Sequence, residues 1–178
     1  MTETDAAKVI VAWWRTNLRP EEDRSAARAL RARLRRADVP EEALAEEAVF
    51  ELTQGLPWLR ARPVALATLA RTLARVETHT TATLAAHLGE REGRDGPRAM
   101  SDLRFQRLLR TPEAELSMAM RRALPLVDER CNVGRLGRDI LDWNDSERGE
   151  RVRIAWCFDY FKATRDRAPE HSPEESEA

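Results

Sequence analysis

Apolar residues recur at spacings of three and four through most of the chain, and no convincing strand-like run alternates apolar and polar residues with period two. A repeat of about 3.6 places such residues on one stripe of a helix, whereas a half-buried strand needs strict alternation, so the sequence predicts an all-α fold. Proline, glycine and small polar residues supply the breaks. A first helix carries Ile10, Trp13, Trp14 and Leu18 inward, with Thr2 or Thr4 as its cap, and stops at Arg19-Pro20. Glu21, Glu22 and Asp23 then place acids where a helix dipole favours them, opening a second helix that runs to Ala37 before Asp38-Val39-Pro40. A third starts at Pro40, aligns Leu44, Ala48 and Leu52, and ends at Gly55-Leu56-Pro57. Pro63 opens a fourth, through Leu66, Leu69, Leu73 and Val76, and a shorter piece from Thr83 to Leu88 closes at Gly89.

Residues 89–98, GEREGRDGPR, are glycine-rich, charged and without periodicity, which predicts a mobile loop between an N-terminal half (1–88) and a C-terminal half (99–165). Ser101 caps a short helix that buries Phe105, Leu108 and Leu109. Thr111-Pro112-Glu113 reads as N-cap, proline at the first position and first-turn acid of the next helix, which Pro125 ends or kinks. Asn132 caps a helix aligning Leu136, Ile140 and Trp143, and Ser146 starts the last, through Val152, Ala155, Trp156 and Tyr160. Because Ile154, Phe158 and Phe161 lie on that same helix, little of its surface is expected to face water. The expectation is therefore one all-α domain over residues 1–165, a compact helical bundle of about eight helices in two packed halves. An acidic tail at 166–178 follows, too poor in apolar side chains to order itself.

The usual catalytic arrangements are missing. There is no HExxH, GxSxG or P-loop string, no GxGxxG after a strand and no aspartate-rich cluster, so an enzyme is not expected. His79 and His87, eight residues apart, would sit about 80° apart on one continuous helix, and His171 falls in the tail, so no metal or other cofactor is expected. Cys131 and Cys157 lie far apart in helical segments and read as core thiols. With no apolar run long enough to span a bilayer and no export signal at the N-terminus, the expected location is the cytoplasm, away from membranes.

Arginine is the remaining feature with chemical content. Only Lys8 and Lys162 are lysines, so 28 of the 30 Lys and Arg residues are arginine, whose rigid fork suits bidentate phosphate contact and stacking on bases. In RSAARALRARLRR (24–36), Arg24, Arg28, Arg31 and Arg35 fall within about 60° of one another on a helix, apart from the face of Ala27, Leu30 and Leu34. Like charges at i, i+4 cost roughly 0.2–0.5 kcal/mol per pair, so stability alone does not favour such a stripe. Two readings fit it: a phosphate-binding surface, or an ion-pair network closed by acids such as Glu46, Glu47 or Glu51 from a neighbouring helix. Further basic residues follow at Arg104, Arg107 and Arg110 in RFQRLLR, at Arg121 and Arg122 in MRRALPLV, and at Arg138, Arg148, Arg151 and Arg153, with Glu113, Glu115, Asp139 and Asp142 as candidate neutralisers. Pooled on one surface, these arginines would grip a nucleic-acid backbone without reading bases; the alternative is a helical scaffold whose arginines pair internally.

The order WWRTNL (13–18), RALRARLRR (28–36), RFQRLLR (104–110), MRRALPLV (120–127), NVGRLGRDILDW (132–143) and RVRIAWCFDYF (151–161) resembles the CasB small subunits of the type I-E CRISPR Cascade complex. The resemblance implies an all-helical, non-catalytic protein present as two copies, set against the backbone subunits that hold the CRISPR RNA and near the large subunit. Its basic surface would help hold the single strands of target DNA as the R-loop opens. By position it implies nucleic-acid contact at Arg35 and Arg36, Arg107 and Arg110, Arg121 and Arg122, and Arg148 and Arg151. With the arginines flanking them, the candidate surface is Arg28, Arg31, Arg35, Arg36, Arg104, Arg107, Arg110, Arg121, Arg122, Arg148 and Arg151.

Overall fold

Helix boundaries follow the proline and glycine punctuation closely. A computed structural model describes residues 3–20, 24–93 and 96–162. Within them the elements run α1 (Glu3–Asn17), α2 (Arg24–Arg36), α3 (Pro40–Leu44), α4 (Glu47–Gly55), α5 (Pro63–Leu73), β1 (Thr78–His79), α6 (Leu84–Gly89), α7 (Asp102–Leu109), α8 (Glu113–Ala123), β2 (Arg130–Cys131), α9 (Val133–Asp142) and α10 (Arg148–Lys162). Single 3₁₀ turns occupy Pro57–Ala61 and Leu124–Val127, the second where Pro125 breaks the ladder of α8. The Thr2 cap, the Thr4 side chain, Glu21, Glu22, Asp23, the loop tip at 94–95 and the acidic tail lie outside the described residues.

The fold is all-α, with ten α-helices among the described residues where about eight were expected. The expected third helix is two, because Glu46 turns extended (φ −86°, ψ 120°) between α3 and α4 and aims its carboxylate at Arg33, 2.6 and 2.9 Å away. Pro112 rather than Thr111 is the N-cap residue of α8. Asp145 caps α10, accepting the backbone N–H groups of Glu147 and Arg148 at 3.1 and 2.9 Å. Asn132 caps α9 as expected, taking the Arg135 N–H at 2.9 Å. Residues 89–98 close on themselves through an Arg91–Arg98 bridge and a bond from Arg91 Nη1 to the Gly96 carbonyl, 2.9 Å. The two-residue parallel pairing of β1 with β2 was not expected; it is too short to leave an alternating pattern.

One hydrophobic cluster joins both halves. α5 is its axis: Ala65, Leu66, Ala67, Leu69, Ala70 and Leu73 are all buried as the helix packs on α3, α8 and α9. α1 lies along α9, close because Gly137 has no Cβ, which would sit 2.7 Å from Ile10 Cγ2. α6 lies along α10 at the same intimacy: a Cβ on Gly89 would collide with the Tyr160 carbonyl. Trp156 meets Trp143 edge-on at 5.1 Å and donates to Asp139 at 2.7 Å, while Tyr160 stacks on Phe105 at 3.9 Å.

The reading of α10 as buried nearly all round is corrected. Val152, Trp156 and Tyr160 face inward, but Ile154, Phe158 and Phe161 are 49%, 72% and 50% exposed, at i, i+4, i+7 on a single outer stripe. Among the described residues only α6 and α9 pack along this helix as principal contacts, and they leave one face uncovered.

Candidate nucleic-acid interface

The arginine stripe of α2 divides. Ala27, Leu30 and Leu34 are buried as the repeat requires, which turns the arginines outward or sideways. Arg31 and Arg35 turn sideways to Glu77, which lies between α5 and β1 and also takes Arg19. Arg35 donates to Glu77 at 2.6 Å, to Glu129 at 3.0 Å and to the carbonyls of Ala74 and Arg75 at 2.8 and 3.2 Å. Glu129 and its neighbour Asp128 both hold left-handed backbone (φ 53° and 54°), a conformation costing an L-residue roughly 1–2 kcal/mol. The acids named from sequence are occupied elsewhere: Glu46 takes Arg33, and Glu51 takes the Asn17 amide at 2.9 Å.

This network retains cationic excess. Arg19, Arg31, Arg35 and Arg75 gather around Glu77 and Glu129, and burial, reinforced by Arg19 and Arg35, pushes the Arg31 pKa down to about 10. Arg19 and Arg75 were not singled out from sequence; neither belongs to a basic run, and only the crossing of α1, α2 and the end of α5 brings them here. Arg28 and Arg36 are exposed, and among the described residues no carboxylate pairs with either. Arg28 joins Arg19, Arg24 and Arg31 around an open cleft beside Leu18 and Ala27.

The second basic run makes a groove. α7 buries Phe105 and Leu108, so Arg104 and Arg107 stand on its outer flank, and Arg110 continues past its end. α8 faces them across a space of about 610 Å³, contributing Arg122, Glu115, Met118 and Ala119, with Met100 and Leu108 at the floor. Arg104, Arg107, Arg110 and Arg122 are all exposed, and none has an ion-pair partner among the described residues. Glu115 is the single acid of the lining among the described residues, which set the groove at net +3.

Arg121 points about 100° away from Arg122 around α8. It reaches Asp38 at 4.0 Å, both side chains at least half exposed, and stands close enough to Arg75 to depress that guanidinium's pKa after burial has done so. Arg121 thus faces the α2 network while Arg122 faces the groove. Arg148 is held by Asp142 at 3.2 Å and Asp145 at 2.7 Å, whereas Arg151, one turn on, is exposed with no side-chain partner among the described residues. The α9–α10 turn is seated beside the groove by Trp143, whose indole N–H donates to the Thr111 carbonyl at 2.9 Å and whose own carbonyl accepts Arg153 at 2.9 Å.

The two histidines among the described residues, His79 and His87, serve the fold. His79 Nδ1 accepts the Val133 N–H at 3.2 Å, and burial with Arg15 nearby lowers its pKa, favouring the neutral ring that bond needs. Buried His87 lies between Thr80 Oγ1 at 3.0 Å and Glu90 at 2.7 Å. Among the described residues no group of three or more His, Cys, Asp or Glu side chains could hold a metal ion, and no helix is long and apolar enough to cross a membrane.

Comparison with known proteins agrees with this architecture. The family described as CRISPR-associated protein Cse2 matches residues 30–161. A CRISPR-associated protein of the Cse2 family from Thermus thermophilus is similar in structure, with a TM-score of 0.64 at 23% identity over 88% of this chain and 98% of that one. A second structure, of CasB from the same organism, gives 0.63 at 22% identity over 87% and 97%. A chain of the E. coli Cascade bound to a PAM-containing double-stranded DNA target gives 0.60 at 20% identity over 90% and 96%. No curated protein matches by sequence.

Proposed function

The chain belongs to the CRISPR-associated Cse2 family, and from that premise we propose that it is a non-catalytic small subunit of a cytoplasmic, RNA-guided DNA surveillance complex of the Cascade type. In this reading it holds nucleic-acid strands by their backbones, CRISPR RNA or the single strands of the R-loop, in company with backbone and large subunits and a second copy of itself. The observation that carries it is the α7–α8 groove, where Arg104, Arg107, Arg110 and Arg122 converge with no carboxylate of the fold paired to them among the described residues. Exposed guanidinium groups so gathered repel one another; a polyanion relieves that repulsion and releases counterions as it binds. Arg28, Arg36 and Arg151 extend the accessible cationic surface.

Arg31, Arg35 and Arg148 favour a second role for part of the set. Their partners Glu77, Glu129, Asp142 and Asp145 make them structural cations, which contribute field rather than direct phosphate contact. That is the scaffold reading, restricted to these three positions.

Membership of an assembly also accounts for the weakness expected of such a surface alone. Sequence-independent electrostatic binding has Kd on the order of 10⁻⁴ to 10⁻⁶ M at physiological salt. Neighbours that fix the subunit raise the effective concentration of its groove, while guide–target pairing supplies sequence choice. The outer stripe of α10, Ile154, Phe158 and Phe161, is suited to burial against such a neighbour. The test is titration of a fluorescent oligodeoxythymidine across a salt series. The wild type is expected to bind with a steep negative log–log slope, and the Arg104→Ala/Arg107→Ala/Arg122→Ala variant, still folded, with a slope shallower by about 2. An unchanged slope removes the groove from the interface.

A further inference from the structure

The chain continues past Lys162 into a segment whose charge is opposite to that of the α7–α8 groove. Residues 166–178 set Asp166, Glu170, Glu174, Glu175 and Glu177 against Arg167, a net of −4. The groove sets four arginines against Glu115, a net of +3.

The described part of α10 ends close to the groove. Tyr160, two residues before the end of α10, shares its one hydroxyl proton between the Met100 carbonyl at 2.6 Å and the Asp102 carboxylate at 2.8 Å, and its ring stacks on Phe105. Met100 is part of the groove lining, and Arg104 adjoins Phe105 on α7. α10 therefore ends beside the first turn of α7, at one mouth of the groove. From Lys162 an extended chain reaches roughly 13 Å by Asp166 and about 50 Å by Glu177, at about 3.3 Å per residue. The helical path from Arg104 to Arg110 is only about 9 Å. Length is no obstacle, and the acids at 166, 170 and 174 are spread along the segment rather than clustered at its tip.

We propose that residues 166–178 occupy the α7–α8 arginine groove when no nucleic acid is bound, acting as a tethered polyanion that an incoming strand must displace. The inference rests on reading the groove as a polyanion site. A tether this short sets an effective concentration in the millimolar range, enough for weak exposed ion pairs to fill the groove at low salt yet yield to a strand with more charges. The consequence is a threshold: loose binding to stray nucleic acid is suppressed, while a strand presented by an assembly outcompetes the tail.

Removing a segment of net −4 would help any polyanion bind from a distance, so the test must locate the tail. A nitroxide is placed at Ser172→Cys in a Cys157→Ser background of the full chain; Cys131 is buried, with its thiol pKa pushed up to about 12, and stays unlabelled. At low salt the label is expected to broaden the amides of α7 and of the facing side of α8, and high salt or excess oligodeoxythymidine is expected to restore them. In parallel, a chain ending at Arg165 is expected to bind the oligonucleotide severalfold tighter than the full chain at low salt, a gain abolished in the Arg104→Ala/Arg107→Ala/Arg122→Ala background. Broadening that misses α7 and α8, or a truncation gain that persists in that background, overturns the proposal. Failure of the truncated chain to bind oligonucleotide at all overturns the underlying nucleic-acid reading, while the broadening pattern still decides where the tail sits.

Discussion

Arg35 and Arg75 hold each other reciprocally: the Arg35 guanidinium donates to the Arg75 carbonyl at 3.2 Å, and the Arg75 guanidinium donates to the Arg35 carbonyl at 2.6 Å. The end of α2 is thereby clasped to the chain leaving α5 by two like-charged side chains, tolerable because the Glu77 and Glu129 carboxylates both bond the Arg35 arm of the clasp. An arginine in this position is part of the fold before it is part of any interface.

Arg35→Ala is accordingly expected to lower stability by about 2–3 kcal/mol, the worth of charge-assisted hydrogen bonds lost from a mostly buried group. Arg107→Ala, on the open flank of α7, should stay within about 0.5 kcal/mol of wild type. Chemical denaturation of the two variants checks the contrast; equal midpoints would show the clasp to be idle.

Neighbouring arginines on α8 should separate by function. Arg122→Ala removes a groove cation and is expected to reduce the salt slope of oligonucleotide binding by about 0.7–0.9. Arg121→Ala, which faces Asp38 and Arg75 instead, should change the slope by less than half of that. Identical losses would mean that the field of the whole face, not the groove, governs binding.

The two sides of α10 should respond oppositely to truncation. Trp156→Ala opens a hole against Trp143 and strands the Asp139 acceptor, with an expected loss of about 3–5 kcal/mol. Phe158→Ser, at 72% exposure, should leave the isolated protein within about 0.5 kcal/mol of wild type, and weaken only its association with a partner that covers the stripe. Thermal melts of both variants read this directly.

Burial pushes the Asp139 carboxyl up to about 6, against the opposing pull of Arg135 and the Trp156 N–H. Its ordinary value is 3.8, so between about pH 4 and 6 the folded state holds a proton that the unfolded state has lost. The contribution is fully present below that window and is lost as pH rises through it. Asp139→Asn cannot titrate and keeps an acceptor for Trp156. Its stability relative to wild type should therefore improve as pH rises from 4 to 6 and level off above. A difference that is constant across that range would place the proton elsewhere.

Helix order, most boundaries and the inward residues Ile10, Trp13, Trp14, Leu18, Leu30, Leu34, Phe105, Leu136 and Ile140 were legible because each rests on a local rule: a 3.6-residue repeat, a capping side chain, a proline that cannot donate. The outward flank of Arg104 and Arg107 follows from the same repeat, since burying Phe105 and Leu108 leaves no other direction. Tertiary structure decided what those rules cannot reach. Arg35 meets Glu77 and Glu129 from 42 and 94 positions away, and Arg122 shares a groove with Arg107 only because α8 stands across that space from α7. The uncovered face of α10 has the same origin, as its apolar residues encircle the helix and the choice of face falls to α6 and α9. Periodicity fixes which way a side chain leaves its own helix; which helix stands there to receive it is settled by packing, where burial of apolar surface outweighs the small free energy of any one exposed ion pair.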